Sequence, residues 1–316
     1  MPGSLLPRAE TVEQYETGCD DGTLRAGARA MCDRHGLGSV DIGRFEDGSL
    51  PVYAVGSDRV LKLYPPVYEH ECDIEAGVLE TVEGQLPIPT PRVEQVGELD
   101  GWSYVLMSRL HGESLEKVWP LTTLWERERL AAELGHVLAA LHAITAPGPD
   151  QLGPTDWERF VAAQRASCTE RQRAAGLDET WLAQIPSFLD GVDLGASPRL
   201  ALLHTEVMRE HLFVTRQADG WTLSGLFDFE PAMRGATEYE FAAAGLFVSC
   251  GDADFLRHML SAYGYAPQQL DEALSQRLLA YALLHRYSNL HFYLQRLPPP
   301  AASTLDALAT CWWGFH

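Results

Sequence analysis

The chain has 316 residues, 46% of them hydrophobic, and a formal charge of −20 from 44 acidic against 24 basic side chains. That length points to about two domains or lobes with enough apolar mass for a core, and the charge argues against a nucleic-acid partner, because phosphate contacts need Lys and Arg in excess. No apolar run approaches the ~20 residues of a membrane-spanning helix, Met1-Pro2-Gly3-Ser4 shows no signal peptide, and the six cysteines form no CxxC pair, so a cytoplasmic protein with reduced thiols, no zinc site and no membrane partner is expected. An acidic surface of this strength fits attraction of a polycationic small molecule, and fits simple solubility equally well.

In chain order, residues 8–36 read as a helical lead-in, with 24–32 a helix capped by Thr23. Segments 51–55 and 59–64 read as strands joined by the turn signal Gly56-Ser57-Asp58. Residues 70–82 read as a helix, and 93–96 and 102–107 as two further strands. From Thr123 the character is helical: Leu130, Leu134, Val137, Leu138 and Leu141 recur on one stripe until Pro147-Gly148-Pro149 stops it. Residues 155–193 read as a polar, Trp-containing helical segment. A strand, a polar loop over 204–214 and a second hairpin follow, and most of the chain from Tyr239 onward is helical. The plan is α+β, with a small β-rich N-terminal lobe (1–107), a connector near 108–112 and a larger, mainly helical lobe (108–316).

Lys62 sits inside an apolar strand, where period-2 alternation sets Val60, Lys62 and Tyr64 on one face. In the next helix Glu75 shares the apolar stripe with Val78, Leu79 and Val82. A buried ammonium and a buried carboxylate invite a pair, since either alone carries a desolvation cost of several kcal/mol. Glu71, one turn earlier, is the rival partner, and a lysine that snorkels from an edge strand is the plainer reading. In the second hairpin Asp219-Gly220 reads as a two-residue turn. An unbulged register then sets Ala218 opposite Trp221 and His211 opposite Asp228, with Cβ atoms ~4.5–5.5 Å apart. Glu206 is a candidate general base; a solvated loop carboxylate is the alternative. His204 reads as a buried loop histidine bonded to backbone carbonyls. Carboxylates of Glu206, Asp228 and Glu230 brought together would need a divalent cation, and their hard oxygens suit Mg²⁺. Residues 45–50 hold one glycine and read as a turn rather than a full phosphate loop.

Together the segments 51–64, Tyr104-Val105-Leu106-Met107-Ser108-Arg109, 204–214, Asp228-Phe229 and 235–239 resemble the aminoglycoside phosphotransferase family, in particular the hygromycin B phosphotransferase type. The resemblance implies the bilobal protein-kinase-like fold and an ATP- or GTP-dependent O-phosphotransferase acting on a hydroxyl of a small, cationic natural product, as in antibiotic resistance. It implies that Lys62, oriented by Glu75, holds nucleotide phosphates, that Ser49 lies in the loop over them, and that backbone groups at Leu106, Met107 and Ser108 meet the base. Asp228 would ligate Mg²⁺, with Glu230 beside it. Glu206 takes the place of the family's catalytic Asp, His211 that of its second metal ligand, Asn, and Glu240 that of an Asp bracing the loop. Glu238, Asp252 and Asp254 are implied acceptor contacts; the aromatic group Tyr287, Phe292 and Tyr293 reads more readily as core.

Two letters depart from that pattern. Glu206 keeps the carboxylate but adds one methylene, ~1.5 Å of reach, and a misplacement of about 1 Å can cost ~10²-fold in rate. The imidazole of His211 suits Mg²⁺ poorly, which leaves a single metal, substitution by Glu230 or Glu210, or a softer ion such as Mn²⁺. A metabolite kinase of the same fold and a nucleotide-binding pseudokinase are the competing functions. Oligomeric state is not legible.

Overall fold

The computed structural model describes residues 4–46, 48–147, 152–195 and 198–315. Of the helix stop expected at 147–149, Gly148 and Pro149 lie outside the described residues. The chain divides into two compact units. The first comprises Met1–Gly84, Pro89–His111 and Leu226–Pro231; the second comprises Gln85–Ile88, Gly112–Gly225 and Ala232–His316. The expected cut after residue 107 thus falls after His111, and the segment that carries Asp228 and Glu230 groups with the first unit. The reason is local bonding: Leu226 N–H donates to Pro89 O and Phe229 N–H to Glu75 Oε1.

In the first unit, α1 (Val12–Gly18) and α2 (Asp21–Arg34) precede strands β1 (Ile42–Arg44), β2 (Val52–Val55) and β3 (Arg59–Tyr64). Then come α3 (Glu69–Val82), β4 (Val93–Leu99) and β5 (Trp102–Ser108). The sheet is antiparallel in the order β1-β2-β3-β5-β4. The α2 cap is Asp20, not Thr23: its carboxylate accepts from Thr23 N–H and from the Thr23 hydroxyl, a strong capping acceptor placed three residues earlier than expected. Tight turns at Gly56 (φ 62°) and at Asp100-Gly101 (φ 55° and 82°) take the left-handed backbone that twisted hairpins require.

Strand β3 is central, with Val52 opposite Lys62 on one side and Val105 on the other. The edge-strand reading of Lys62 therefore fails. Alternation along β3 sorts its side chains. Leu61 and Leu63 enter a core with Tyr53, Tyr104 and Leu106 of the sheet and Leu24, Ala28 and Met31 of α2. Lys62 and Tyr64 turn to the other face, where Glu75 of α3 meets them.

The second unit is mainly helical. Its elements are β6 (Glu113–Ser114), α4 (Leu115–Val118), α5 (Leu124–Ala143), α6 (Trp157–Ala174), α7 (Glu179–Leu182), α8 (Ile185–Gly191), β7 (Leu200–Leu203), β8 (Leu212–Gln217), β9 (Gly220–Leu226), β10 (Met233–Ala236), α9 (Thr237–Ala244), α10 (Ala253–Tyr263), α11 (Glu272–Leu284), α12 (Leu290–Leu294) and α13 (Leu305–Trp313). Thr123 and Glu126 form a capping box that starts α5. The expected stripe Leu130, Leu134, Val137, Leu138 and Leu141 is fully buried. A Cβ on Gly135 of this helix would lie 2.2 Å from Met259 O, so α5 and α10 approach backbone to backbone only because that residue is glycine. No described helix is long and apolar enough to cross a membrane, and all six cysteines are free thiols.

Candidate active site

The first unit gathers charge on the α3 face of its sheet. Lys62, 5% exposed, places Nζ 2.9 Å from Glu75 Oε2 and 2.6 Å from Asp228 Oδ1, and donates to Glu230 Oε2 as well. Glu75, 1% exposed, also accepts from the Tyr64 hydroxyl and from Phe229 N–H. Glu71 is not the partner. Burial alone would push the Lys62 ammonium down, but Asp228 and Glu75 outweigh it and hold the group above the ordinary lysine range. Burial, reinforced by Glu75, raises the Tyr64 phenol well above its usual value, so it stays a donor to the carboxylate.

One oxygen from each of Glu75, Asp228 and Glu230 lies within 4.8 Å of the others. Three hard oxygen donors at that spacing fit a divalent cation such as Mg²⁺ or Mn²⁺. Asp228 adopts φ 74°, a backbone conformation rare for a residue with a side chain. Strain of this kind is held in place by surrounding bonds and clusters at functional sites.

In the second unit, β7 pairs with β10, Leu203 opposite Met233 and Ala201 opposite Gly235. A Cβ on Gly235 would come within 2.5 Å of the Trp157 ring and 2.9 Å of Leu203, so only glycine admits α6 to this ribbon. Beyond β7 the loop is fixed from below. His204 N–H and Thr205 N–H donate to the two oxygens of Glu240 at 2.6 and 2.9 Å. Thr205 is fully buried with φ 70°, an outlier for a β-branched side chain. The next residue, Glu206, is half-buried; its N–H donates to His204 Nδ1 at 3.3 Å, so there His204 accepts from a backbone N–H rather than donating to a carbonyl.

His211 closes a 3-10 turn, Arg209–His211, and donates from Nδ1 to Glu206 O at 2.8 Å. A carbonyl can only accept, so Nδ1 carries a proton. The hairpin register expected for this region does not reach the two residues of interest. The turn is at Ala218-Asp219, between β8 and β9. His211 precedes β8 and Asp228 follows β9, so neither lies in the ladder.

The family model described as "Phosphotransferase enzyme family" (APH) matches residues 41–273. The chain belongs to this phosphotransferase family. No curated protein matches it, but solved structures do. The GDP complex of wild-type aminoglycoside 2'-phosphotransferase-IIIa is 17% identical with TM-score 0.67, over 82% of this chain and 89% of that chain. The streptomycin-ATP-APH(2")-IIa ternary complex is 16% identical with TM-score 0.58, over 82% and 91%. The apoenzyme of macrolide 2'-phosphotransferase MphH from Brachybacterium faecium is 20% identical with TM-score 0.57, over 87% and 99%. At these identities the likeness establishes the kinase-like α+β fold, and the family match establishes a phosphotransferase.

The remaining expected site residues of this family member are placed as follows. Ser49 is exposed just before β2, its carbonyl accepting from the Tyr15 hydroxyl at 2.6 Å. Leu106, Met107 and Ser108 end β5, which is paired with β3 on one side and β4 on the other; Ser108 N–H is bonded to Arg92 O. Glu238 is gripped by Arg277 at 2.8 and 3.0 Å and lines a cleft of about 420 Å³ with Tyr263, Tyr265 and Asp271. Asp252 caps α10 through Phe255 N–H, and Asp254 pairs with Arg257. Tyr293 is buried, as expected of core, whereas Tyr287 is 53% exposed beneath the Arg286 guanidinium. The sequence placed Glu230 beside Asp228 as a metal-side carboxylate but gave no sign of its bond to Lys62, and it missed Thr205 altogether. Glu230 joins the lysine because Asp228 and Glu230 flank Phe229 at i and i+2, a spacing that the sequence displays. Thr205 gives no signal at all, since its backbone angle is imposed by Glu240 from 35 residues away.

Proposed function

We propose that the chain transfers the terminal phosphoryl group of ATP or GTP to a hydroxyl of a small antibiotic-like natural product, with an aminoglycoside of the hygromycin B type as the first candidate. The observation that carries this reading is Lys62, buried and shared by Glu75, Asp228 and Glu230. In the family pattern such a lysine holds nucleotide phosphates and Glu75 orients it; bound nucleotide would then take the place of Asp228 and Glu230 on Lys62. Asp228 and Glu230, with His211 at the second ligand position, would hold Mg²⁺ or Mn²⁺. A cation so bound supplies positive charge to the phosphate oxygens. Ser49 covers the phosphates, and the base lies along the end of β5 at Leu106, Met107 and Ser108. Glu206 accepts the proton of the attacking hydroxyl. General-base help is a modest contribution of ~10²–10⁴, because phosphoryl transfer rests mainly on positioning and charge. The longer arm of Glu206 is therefore compatible with turnover.

A second reading, a macrolide or metabolite acceptor of lower positive charge, is favoured by one observation. Of the carboxylates assigned to the acceptor, Glu238 is already neutralised by Arg277, Asp254 by Arg257, and Asp252 is spent on a helix cap. Incubation with γ-labelled ATP and GTP against aminoglycosides, macrolides and amino alcohols separates the two. Label on aminoglycosides supports the first reading, label only on the others supports the second, and no label on any acceptor refutes both.

A further inference from the structure

Glu240 poses a problem of charge. It is fully buried, and both its oxygens accept backbone N–H groups from His204 and Thr205. No lysine or arginine pairs with it among the described residues; the basic side chain beside it is His142, whose Nε2 stands 3.6 Å from Glu240 Oε2. His142 is the penultimate residue of α5 and 4% exposed. Its Nδ1 meets the Tyr263 hydroxyl of α10 at 2.9 Å, and its ring packs against Phe241 and Tyr263. Its Nε2 is buried and has no hydrogen-bond partner in the static structure.

A buried carboxylate is costly without a donor or cation, and a buried ring N–H facing nothing is costly too. The two costs cancel if Nε2 carries a proton and turns it on Glu240. The Tyr263 hydroxyl then donates to Nδ1, which satisfies the ring completely. We infer that His142 is a positioning residue for phosphoryl transfer: its Nε2–H, through Glu240, holds the strained Thr205 backbone and so sets the place of Glu206. The chain of contact runs from α5 through α9 to the loop. Thr205 at φ 70° stores ~1–3 kcal/mol of strain, so the loop needs a firm acceptor beneath it, and a carboxylate held on its far side is firmer than one that swings. The inference rests on Glu206 acting as the base, and its test is built to stand apart from that assignment.

Glutamine and asparagine separate the two ring nitrogens. The amide nitrogen of His142→Gln falls near Nε2 and keeps a donor toward Glu240; that of His142→Asn falls near Nδ1 and keeps only the contact with Tyr263. Amide hydrogen exchange at His204 and Thr205, read in the full chain without nucleotide or acceptor, should quicken at least ~10-fold in His142→Asn and return toward wild type in His142→Gln. Turnover should follow the same order, with kcat falling ~10–100-fold in the Asn variant and KM for nucleotide unchanged. Equal behaviour of the two variants, or unchanged exchange at both amides, overturns the inference. If the Asn variant does not fold, the ring ¹⁵N shifts of wild-type His142 decide: a protonated Nε2 supports the brace and a bare Nε2 overturns it. Absence of transfer in wild type would count against the phosphotransferase reading and leave these two readouts intact.

Discussion

Replacing Lys62 by methionine removes the ammonium that Glu75, Asp228 and Glu230 share, while keeping an unbranched side chain in β3. Lys62 and Glu75 are 5% and 1% exposed, so their pair belongs to the class in which loss of one partner costs ~3–5 kcal/mol. The Asp228 and Glu230 side chains are 26% and 15% exposed; water screens the first more than the second, and together they add only modestly. Against a typical domain stability of ~5–15 kcal/mol, that is about a fifth or more of the total. Most of the loss is the orphaned charge on Glu75, so Lys62→Met combined with Glu75→Gln should recover a large part of it. Because Lys62 is held above the usual lysine range, its contribution is complete below the unfolded value of ~10.4 and is lost as pH rises through the folded value. Urea unfolding followed by tryptophan fluorescence should therefore show a constant gap between wild type and Lys62→Met from neutral pH to about pH 10, narrowing above it. A loss under ~1 kcal/mol, or a double variant no more stable than the single one, refutes the reasoning.

Glu206→Asp with His211→Asn restores the family letters, and transfer should be preserved or raised up to ~10²-fold; a dead double variant shows the pair to be specialised for another metal or acceptor. His285, stacked on Tyr239, is held down to about 4, first by burial and then by Arg286. The unfolded chain binds its proton near pH 6.5, so stability is complete above that pH and erodes by at most ~3 kcal/mol as pH falls toward 4. His285→Phe should flatten that part of the stability profile, and an unchanged slope refutes the assignment.

How far the sequence could be read depended on whether a signal was local. Lys62 and Glu75 were legible because each broke an apolar pattern at the one spacing that turns it inward. The helix stripe of α5 and the hairpin at Gly56 were legible for the same reason. Extrapolation failed where it crossed irregular backbone. The register built outward from residue 219 missed because the turn sits one residue earlier and the strands end before His211 and Asp228. The edge-strand alternative for Lys62 failed because strand order is set by β5, 40 residues on. The positive φ at Thr205 and Asp228 follows from distant partners and leaves no local trace. His142 looks like any other histidine in the last turn of a helix until Glu240 appears opposite it.

The central claim is that the carboxylates around Lys62 serve nucleotide phosphate chemistry. The direct measurement is transfer of the γ-phosphoryl group from ATP or GTP to an acceptor hydroxyl, followed by mass spectrometry, for wild type and Asp228→Ala side by side. Phosphorylated acceptor with wild type and none with a folded Asp228→Ala is the predicted result. An Asp228→Ala variant as active as wild type would contradict the account.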